Sequence, residues 1–96
     1  MENPTARISI LCNAPKGMRG ELKFIFGIND EKIGEGKADE IVELEVPAGV
    51  QDLLVMVTNG PMNCISDTTR IEAADGRKFK IKYSLFTKRA MLALRD

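Results

Sequence analysis

Apolar and polar side chains alternate along several stretches of this chain, and the clearest example lies near its middle. Val42, Leu44 and Val46 alternate with Glu43 and Glu45. Successive side chains of an extended chain point to opposite faces, so the aliphatic residues share one face and the glutamates share the other. The pattern predicts a β-strand with one buried and one solvated face.

The same period of two recurs over residues 6–12, 21–28 and 77–86. In the last of these stretches, Phe79 and Ile81 are assigned to the inward face. The outward face carries three lysines, called the lysine row below: Lys78, Lys80 and Lys82. Lysines along one face are typical of an exposed or edge strand, because their charge opposes pairing with other chains.

Short segments of turn-forming residues separate the alternating stretches. Asn29 and Asp30 both tolerate the positive φ that the tightest hairpins require. Pro47 and Gly49 suit the corners of a tight turn, and residues 75–76 are an Asp-Gly pair. We therefore predict a β-hairpin at each of these three places.

Residues 53–57 are apolar at every position. A strand with two apolar faces is typical of the centre of a sheet that is covered on both sides. Leu53, Val55 and Val57 are assigned to the core. Leu54 and Met56 then point outward and need a second cover.

The chain contains six or seven such strands and almost no helical periodicity. This predicts an all-β fold, a small antiparallel β-sandwich or barrel, in a single domain spanning residues 1–96. The tail, residues 87–96, contains good helix formers without β-branching, which favours a short C-terminal helix over a further strand. The predicted core comprises Phe24, Phe26, Val42, Leu44, Val46, Val55, Val57, Phe79 and Ile81.

Composition argues against catalysis. Histidine is absent, which removes the commonest general base and the commonest zinc ligand. Glu43 and Glu45 share a strand face about 7 Å apart, but the sequence indicates no apolar pocket that would tune either carboxyl for acid–base work. The acidic residues between positions 30 and 40 lack the spacing of a calcium loop. We therefore predict no enzyme activity, no catalytic residues, no metal site and no cofactor.

The two cysteines, Cys12 and Cys64, are far apart, and each adjoins an apolar residue. Two buried, reduced thiols are expected, with a disulfide between them as the alternative. Residues 1–7 lack the pattern of a secretory leader. No apolar run approaches the roughly 20 residues that span a bilayer. These features predict a cytoplasmic protein without membrane insertion.

Positive and negative side chains balance at fourteen each, but residues 77–95 hold seven basic side chains and no acidic one. Proteins that bind single-stranded nucleic acid place aromatic rings beside such cations. Here Phe79 and Tyr83 alternate onto the face opposite the lysine row. Core aromatics beneath a solvated lysine face are the better interpretation, so weak, non-specific nucleic-acid binding is kept only as the alternative function.

The order of motifs between about residues 20 and 83 carries a resemblance to a known family. An aromatic-aliphatic strand, residues 22–28, is followed by the turn at residues 29–30, by Leu-Glu-Val-Pro-Ala-Gly at 44–49 and by Asp-Gly at 75–76. This order resembles small bacterial β-sandwich domains of the PEGA and carboxypeptidase-regulatory-like type. The segment 59–62 departs from their pattern, and the tail has no counterpart in them. The resemblance implies a β-sandwich with a structural or binding role, and it supplies no site residues.

Taken together, these features predict a non-catalytic structural or protein-interaction module that self-associates, with another protein partner as a further possibility. The outward apolar side chains exceed what soluble monomers usually expose, and unbranched Met suits an adaptable interface. The interface candidates are Leu54, Met56, Met91, Leu92 and Leu94. The lysine row of one subunit is expected to meet the Glu43 and Glu45 face of another, which orients the two copies.

Overall fold

The computed structural model describes residues 4–13, 22–59, 63–84 and 89–94. These residues contain eight strands: β1 (Thr5–Leu11), β2 (Lys23–Ile28), β3 (Glu31–Lys37), β4 (Ile41–Pro47), β5 (Gly49–Asn59), β6 (Asn63–Ala73), β7 (Lys78–Ser84) and β8 (Arg89–Leu94). The prediction of an all-β chain is confirmed, with one or two strands more than the alternation indicated.

The strands form two four-stranded sheets that pack face to face. The β1 sheet has the order β4-β1-β7-β8, and the β2 sheet has the order β3-β2-β5-β6. Every pairing is antiparallel except that of β1 with β7, which is parallel. Neither sheet closes on itself, so the fold is a β-sandwich and not a barrel.

The core lies between the two sheets and is supplied by alternate residues of the strands. The nine side chains of the predicted core are buried, and so is Leu53, which was also assigned to the core. Phe24 and Phe26 on β2 have no exposed surface. The alternation therefore predicted correctly which face of each of these strands is buried.

The predicted hairpin at Asn29 and Asp30 is confirmed and joins β2 to β3. Both residues have positive φ, 53° and 65°, as the two central residues of a type I′ turn require. Phe26 lies opposite Gly34 and Gly27 opposite Lys32, so β3 carries one extra residue at this point. This β-bulge interrupts the regular ladder of β3.

The predicted hairpin at residues 47–49 is wrong, because β4 and β5 belong to different sheets. The chain does reverse there: Gly49 has a φ of 101°, and the Ala48 N–H donates to the Pro4 carbonyl (3.1 Å). After the turn, however, β5 pairs with β2 and β6, whereas β4 pairs with β1. The prediction of β5 as a central strand is confirmed.

The predicted Asp-Gly hairpin is also wrong, because it carries the chain from β6 in the β2 sheet to β7 in the β1 sheet. The turn is tied to β1 instead. The Arg7 N–H donates to the Asp75 carboxylate (2.7 Å), and the Gly76 N–H donates to the Arg7 carbonyl (2.9 Å). These bonds lead into the parallel ladder of β1 with β7.

The predicted C-terminal helix is wrong in the part of the tail that the structure describes, because Arg89–Leu94 forms β8. Ala90 and Leu92 are buried, while Arg89 and Met91 are exposed. This alternation fits a strand that pairs with β7 over a buried core. Burial of the alternate apolar residues therefore outweighs the helix propensity of the segment.

A side-chain amide continues the β1–β7 ladder beyond the end of β1. Asn13 Nδ2 donates to the Ile81 carbonyl (2.7 Å), and the Ile81 N–H donates to Asn13 Oδ1 (2.8 Å). The Tyr83 hydroxyl donates to the Asn13 carbonyl (2.7 Å). These bonds hold β7 in register with β1 and fix the lysine row relative to the other strands.

The two lateral sides of the sandwich are built differently. Where β6 meets β8, the Leu92 N–H donates to Thr69 Oγ1 (3.0 Å), and Arg89 Nε lies 2.8 Å from an Asp67 carboxylate oxygen. Where β3 meets β4, Gly34 and Gly36 leave room for β4 side chains to rest on the β3 backbone. Polar side chains therefore join the two sheets where β6 meets β8. Where β3 meets β4, the glycines of β3 let the two strands approach closely.

Candidate interaction surface

The outer face of the β1 sheet carries the lysine row. Lys78, Lys80 and Lys82 are all exposed, as the alternation predicts. Since β7 lies between β1 and β8, the row runs along an inner strand of the sheet and not along an edge strand. The three lysines form no ion pair with any residue in the described part of the chain. Their charges are therefore free to meet a partner.

The same face carries the two glutamates of β4. Glu43 lies opposite Ser9 on β1, and Ser9 lies beside Lys78 on β7. Glu43 and Lys78 are thus two strand spacings apart, about 10 Å. Glu45 lies opposite Arg7 and accepts a hydrogen bond from Thr5 Oγ1 (2.9 Å). An acidic strand and a basic strand therefore lie on either side of β1 on one open face.

One end of this face forms an open groove of about 540 Å³ near the turn at Asp75. Three cationic and three acidic side chains line it: Arg7, Arg77, Lys78, Glu43, Glu45 and Asp75. The remaining lining residues are Thr5, Ile8, Ser9 and Gly76. The opposite charges are mixed, and the groove is open to solvent. It offers polar contacts to a partner surface and no enclosed chamber in which a carboxyl could act as an acid or base.

The apolar interface candidates do not form one surface. Leu54 and Met56 are half-buried on the outer face of the β2 sheet, whereas Met91 is 40% exposed on the outer face of the β1 sheet. Leu94, at the end of β8, is 57% exposed. The assignment of Leu92 to an interface is wrong: it is 8% exposed and belongs to the core, because it shares the inward face of β8 with Ala90.

The apolar cluster on the β2 sheet is small and partly screened. Met56 lies directly opposite Ile25, and both are half-buried. Beside them, Glu35 accepts from Lys23 and from Lys32, each at 3.2 Å. The bond from Lys23, followed by that from Lys32, lowers the pKa of Glu35. The charged group therefore stands at the rim of this cluster and limits its use as an apolar interface.

The free edge of β4 was not identified from the sequence. The Cys12 N–H donates to the Glu40 carbonyl (2.8 Å), and Ala48 donates to Pro4 at the other end of the ladder. In an antiparallel pair, alternate residues exchange both backbone bonds with the neighbour. The even-numbered residues of β4 therefore bond to β1. The odd-numbered residues, Ile41, Glu43 and Glu45, direct their N–H and C=O groups away from it.

No other group in the described part of the chain bonds to these outward N–H and C=O groups. Ile41 is 56% exposed and lies on the same face as Glu43 and Glu45. The alternation of the sequence could have revealed this surface. It places the apolar Ile41 on the solvated face with Glu43, and not on the buried face with Val42.

The two thiols have different environments. Both are free, but Cys12 is buried and Cys64 is exposed, so the prediction of two buried thiols is wrong for Cys64. On β6, the neighbour Ile65 points inward and therefore places Cys64 on the outer face. Burial, with a smaller contribution from Glu40, raises the pKa of the Cys12 thiol to about 12.

The described residues contain no group of three or more Cys, Asp or Glu side chains arranged to hold a metal ion. In the same part of the chain no helix has the length and apolar character that crossing a membrane requires. In comparisons with known proteins, no family model, no curated protein and no solved structure matches the chain. The resemblance to PEGA-type domains therefore stays a prediction.

Proposed function

We propose that this protein is a non-catalytic protein-interaction module that self-associates through the outer face of the β1 sheet. The observation that carries the proposal is the presence of Glu43 on β4 and Lys78 on β7, on either side of β1 on a single exposed face. Charges arranged in this way are complementary to a second copy of the same face. Such complementarity directs encounter and orientation more than it adds affinity.

A twofold axis along β1, in the plane of the interface, would exchange the positions of β4 and β7. Glu43 of each copy would then face Lys78 of the other, because both residues lie at the level of Ser9. An isologous contact of this kind makes every favourable pair twice. Ile41 and Met91, the large apolar side chains exposed on this face, would add the apolar contact that charge alone does not provide.

Sedimentation velocity over a range of concentrations tests the proposal. Lys78→Glu should weaken self-association by about tenfold or more, since each charge reversal acts twice in the dimer. Lys37→Glu makes the same charge change on the β2 sheet and should leave the association unchanged. Combining Lys78→Glu with Glu43→Lys should restore it. A wild-type protein that stays monomeric at high micromolar concentration would refute self-association.

The lysine row also supports the alternative function, weak binding of single-stranded nucleic acid. The row supplies exposed charge, but Phe79 is buried beneath it and the hydroxyl of Tyr83 is bonded to Asn13. Since no aromatic ring lies beside the cations in the part of the chain that the structure describes, binding rests on phosphate contacts and should fall steeply with salt. Sub-micromolar affinity that persists at physiological salt would favour this alternative over the interaction module.

We assign the module to the cytoplasm. The supporting observation is the pair of free thiols, one of which is exposed and would oxidise in an oxidising compartment.

A further inference from the structure

We infer that the free edge of β4 binds an extended, basic segment of another protein, which adds to the β1 sheet as an antiparallel fifth strand. This partner goes beyond the proposed self-association, because it bonds to the backbone edge of β4, although the side chains of Glu43, Glu45 and Ile41 that select it lie on the outer face. Three residues of β4 present both N–H and C=O groups outward, and no described residue bonds to them. Such a row is the template on which strand addition depends.

The edges of β8 and β3 are less suited to strand addition, and on the remaining edge strand, β6, the Thr68 N–H is already bonded to an Asp67 carboxylate oxygen (2.8 Å). On β8, the outward N–H of Leu92 is already bonded to Thr69 Oγ1 (3.0 Å). The ladder of β3 is interrupted by a bulge between Lys32 and Gly34. A bulge and a side-chain cap both prevent a regular ladder from forming. The seven residues of β4 pair with β1 in an unbroken register, so the opposite edge is also regular.

The side chains of β4 select the charge of the partner. An added strand places its residues directly opposite those of β4, with their side chains on the same face. Residues opposite Glu45 and Glu43 would therefore meet carboxylates, and Lys or Arg fits those positions. The residue opposite Ile41, which is 56% exposed, should be apolar. Read along the antiparallel partner, the pattern is basic-x-basic-x-apolar.

A second copy of β4 fits this edge poorly. In the antiparallel registers with the greatest overlap, a glutamate of one copy lies opposite a glutamate of the other, because Glu43 and Glu45 occupy two of the three outward positions. Like charges directly opposite each other destabilise a strand pair. The lysine row of a second copy cannot supply the added strand either, since both edges of β7 are already paired. The edge therefore favours a different protein.

The intervening residues of the partner should be polar. Their side chains would point to the inner side of the β1 sheet, beyond β4. The strand of the facing sheet on that side is β3, which is itself the last strand of its sheet in the described part of the chain. An added strand would therefore lie past the core, where apolar inward side chains would find no cover.

A labelled peptide, Ser-Lys-Thr-Lys-Thr-Val-Ser-amide, tests the inference by fluorescence anisotropy. Its first lysine would lie opposite Glu45, its second opposite Glu43, and its valine opposite Ile41. The peptide Ser-Lys-Lys-Thr-Thr-Val-Ser-amide has the same composition, but its adjacent lysines point to opposite faces. We expect it to bind several-fold more weakly, and equal binding would overturn the inference.

N-methylation of the peptide tests the backbone bonds and the strand direction together. In an antiparallel complex the lysine N–H opposite Glu43 points to β4, whereas the N–H of the next threonine points to solvent. Methylation of that lysine nitrogen should weaken binding by about tenfold, and methylation of the threonine nitrogen should change it little. The reverse result would mean parallel addition, and equal effects would mean that no ladder forms. Either outcome overturns the inference.

A matched pair of protein variants tests the same edge by changing β4 instead of the peptide. Glu43→Thr removes the carboxylate and keeps the outward N–H, whereas Glu43→Pro removes both. Proline is tolerated on an edge where its nitrogen faces solvent. If both variants retain the β-sheet circular dichroism spectrum, the proline variant should bind the peptide about tenfold more weakly than the threonine variant. Equal affinity of the two variants would contradict backbone pairing.

These measurements separate the inference from the proposed self-association. Lys78→Glu changes the outer face and leaves the β4 edge intact, so it should still distinguish the alternating from the non-alternating peptide. Peptide binding without self-association would refute the proposed dimer and leave the docking edge standing. Self-association of the wild type, combined with equal binding of the two peptides by Lys78→Glu, would refute the docking edge alone.

Discussion

The two lateral sides of this sandwich meet the same requirement in different ways. On one side, β6 and β8 are joined across the sheets by Thr69 and by the pair of Asp67 with Arg89, and Arg89 lowers the pKa of Asp67. On the other side, β3 and β4 approach closely because β3 has glycines where side chains would otherwise stand. The polar bridge occupies a backbone group of β8, whereas the glycine contact occupies none of the outward groups of β4. Closing a sandwich by close approach therefore leaves an edge available for a partner.

Substitution of a β3 glycine should disturb the sandwich more than loss of the polar bridge between β6 and β8, because it opposes the close approach of β3 and β4. A Cβ on Gly36 would overlap a methyl group of Val42 and lie 3.2 Å from the Cys12 sulfur. Valine is stiff at χ1, so the neighbour cannot easily move away. We expect Gly36→Ala to lower the free energy of unfolding by about 2–3 kcal/mol in urea denaturation.

Gly34→Ala is the matched control for that variant. Its Cβ would overlap a terminal methyl group of Leu44, which can change rotamer more readily. The cost should therefore be smaller than at Gly36. An equal loss of stability in the two variants would show that the stiffness of Val42 relative to Leu44 does not matter.

The polar bridge on the β6–β8 side is expected to have a smaller effect. Thr69→Val keeps the shape of the side chain but leaves the Leu92 N–H without an acceptor among the described groups. An unsatisfied buried donor of this kind should cost about 1–2 kcal/mol. Thr69→Ser retains the hydroxyl and should restore the protection of the Leu92 amide in hydrogen exchange, although the methyl group is lost. Wild-type stability in Thr69→Val would show that the bridge is not needed.

Thiol labelling of the wild-type protein tests which cysteine is exposed and which is buried, and it requires no substitution. Cys64 on the outer face of β6 should react rapidly with a thiol reagent in the native protein. Cys12 should react only on unfolding, because it is buried and its pKa is raised to about 12. Mass spectrometry of the labelled protein assigns the site. Comparable rates at the two cysteines under native conditions would contradict this placement.

Much of the fold could be predicted from the sequence because alternation is a local property. The period of two at Val42, Leu44 and Val46 identified the buried face without knowledge of any partner strand. The turn at Asn29 was equally predictable, since two residues with positive φ determine both a reversal and a hairpin register.

The errors arose where distant residues decide the outcome. Pro47, Gly49 and Gly76 do reverse the chain, but nothing within such a turn specifies whether the next strand joins the same sheet. That choice depends on β1, which pairs with β4 and with β7. For the same reason the free edge of β4 was hidden: an edge is defined by the absence of a neighbour, which only the complete pairing reveals.

The side-chain assignments failed for a related reason. Cys64 was expected to be buried because it adjoins Ile65, yet neighbours on a strand point to opposite faces. Leu92 was counted as surplus apolar surface because the tail was assigned to a helix. Once the tail is β8, Leu92 takes an inward position. Both positions follow from the two-residue alternation of a strand, which composition alone does not reveal.

Residue-resolved amide hydrogen exchange of the dilute protein tests whether the outer edge of β4 is free while its inner edge is paired with β1. The amides of Glu43 and Glu45 should exchange rapidly, and those of Val42, Leu44 and Val46, which bond to β1, should exchange slowly. The Leu92 amide, which Thr69 covers, should also be slow. Addition of the alternating lysine peptide should then protect Glu43 and Glu45. Slow exchange at Glu43 and Glu45 without peptide would mean that the edge is already occupied, and it would rule out a free edge on β4.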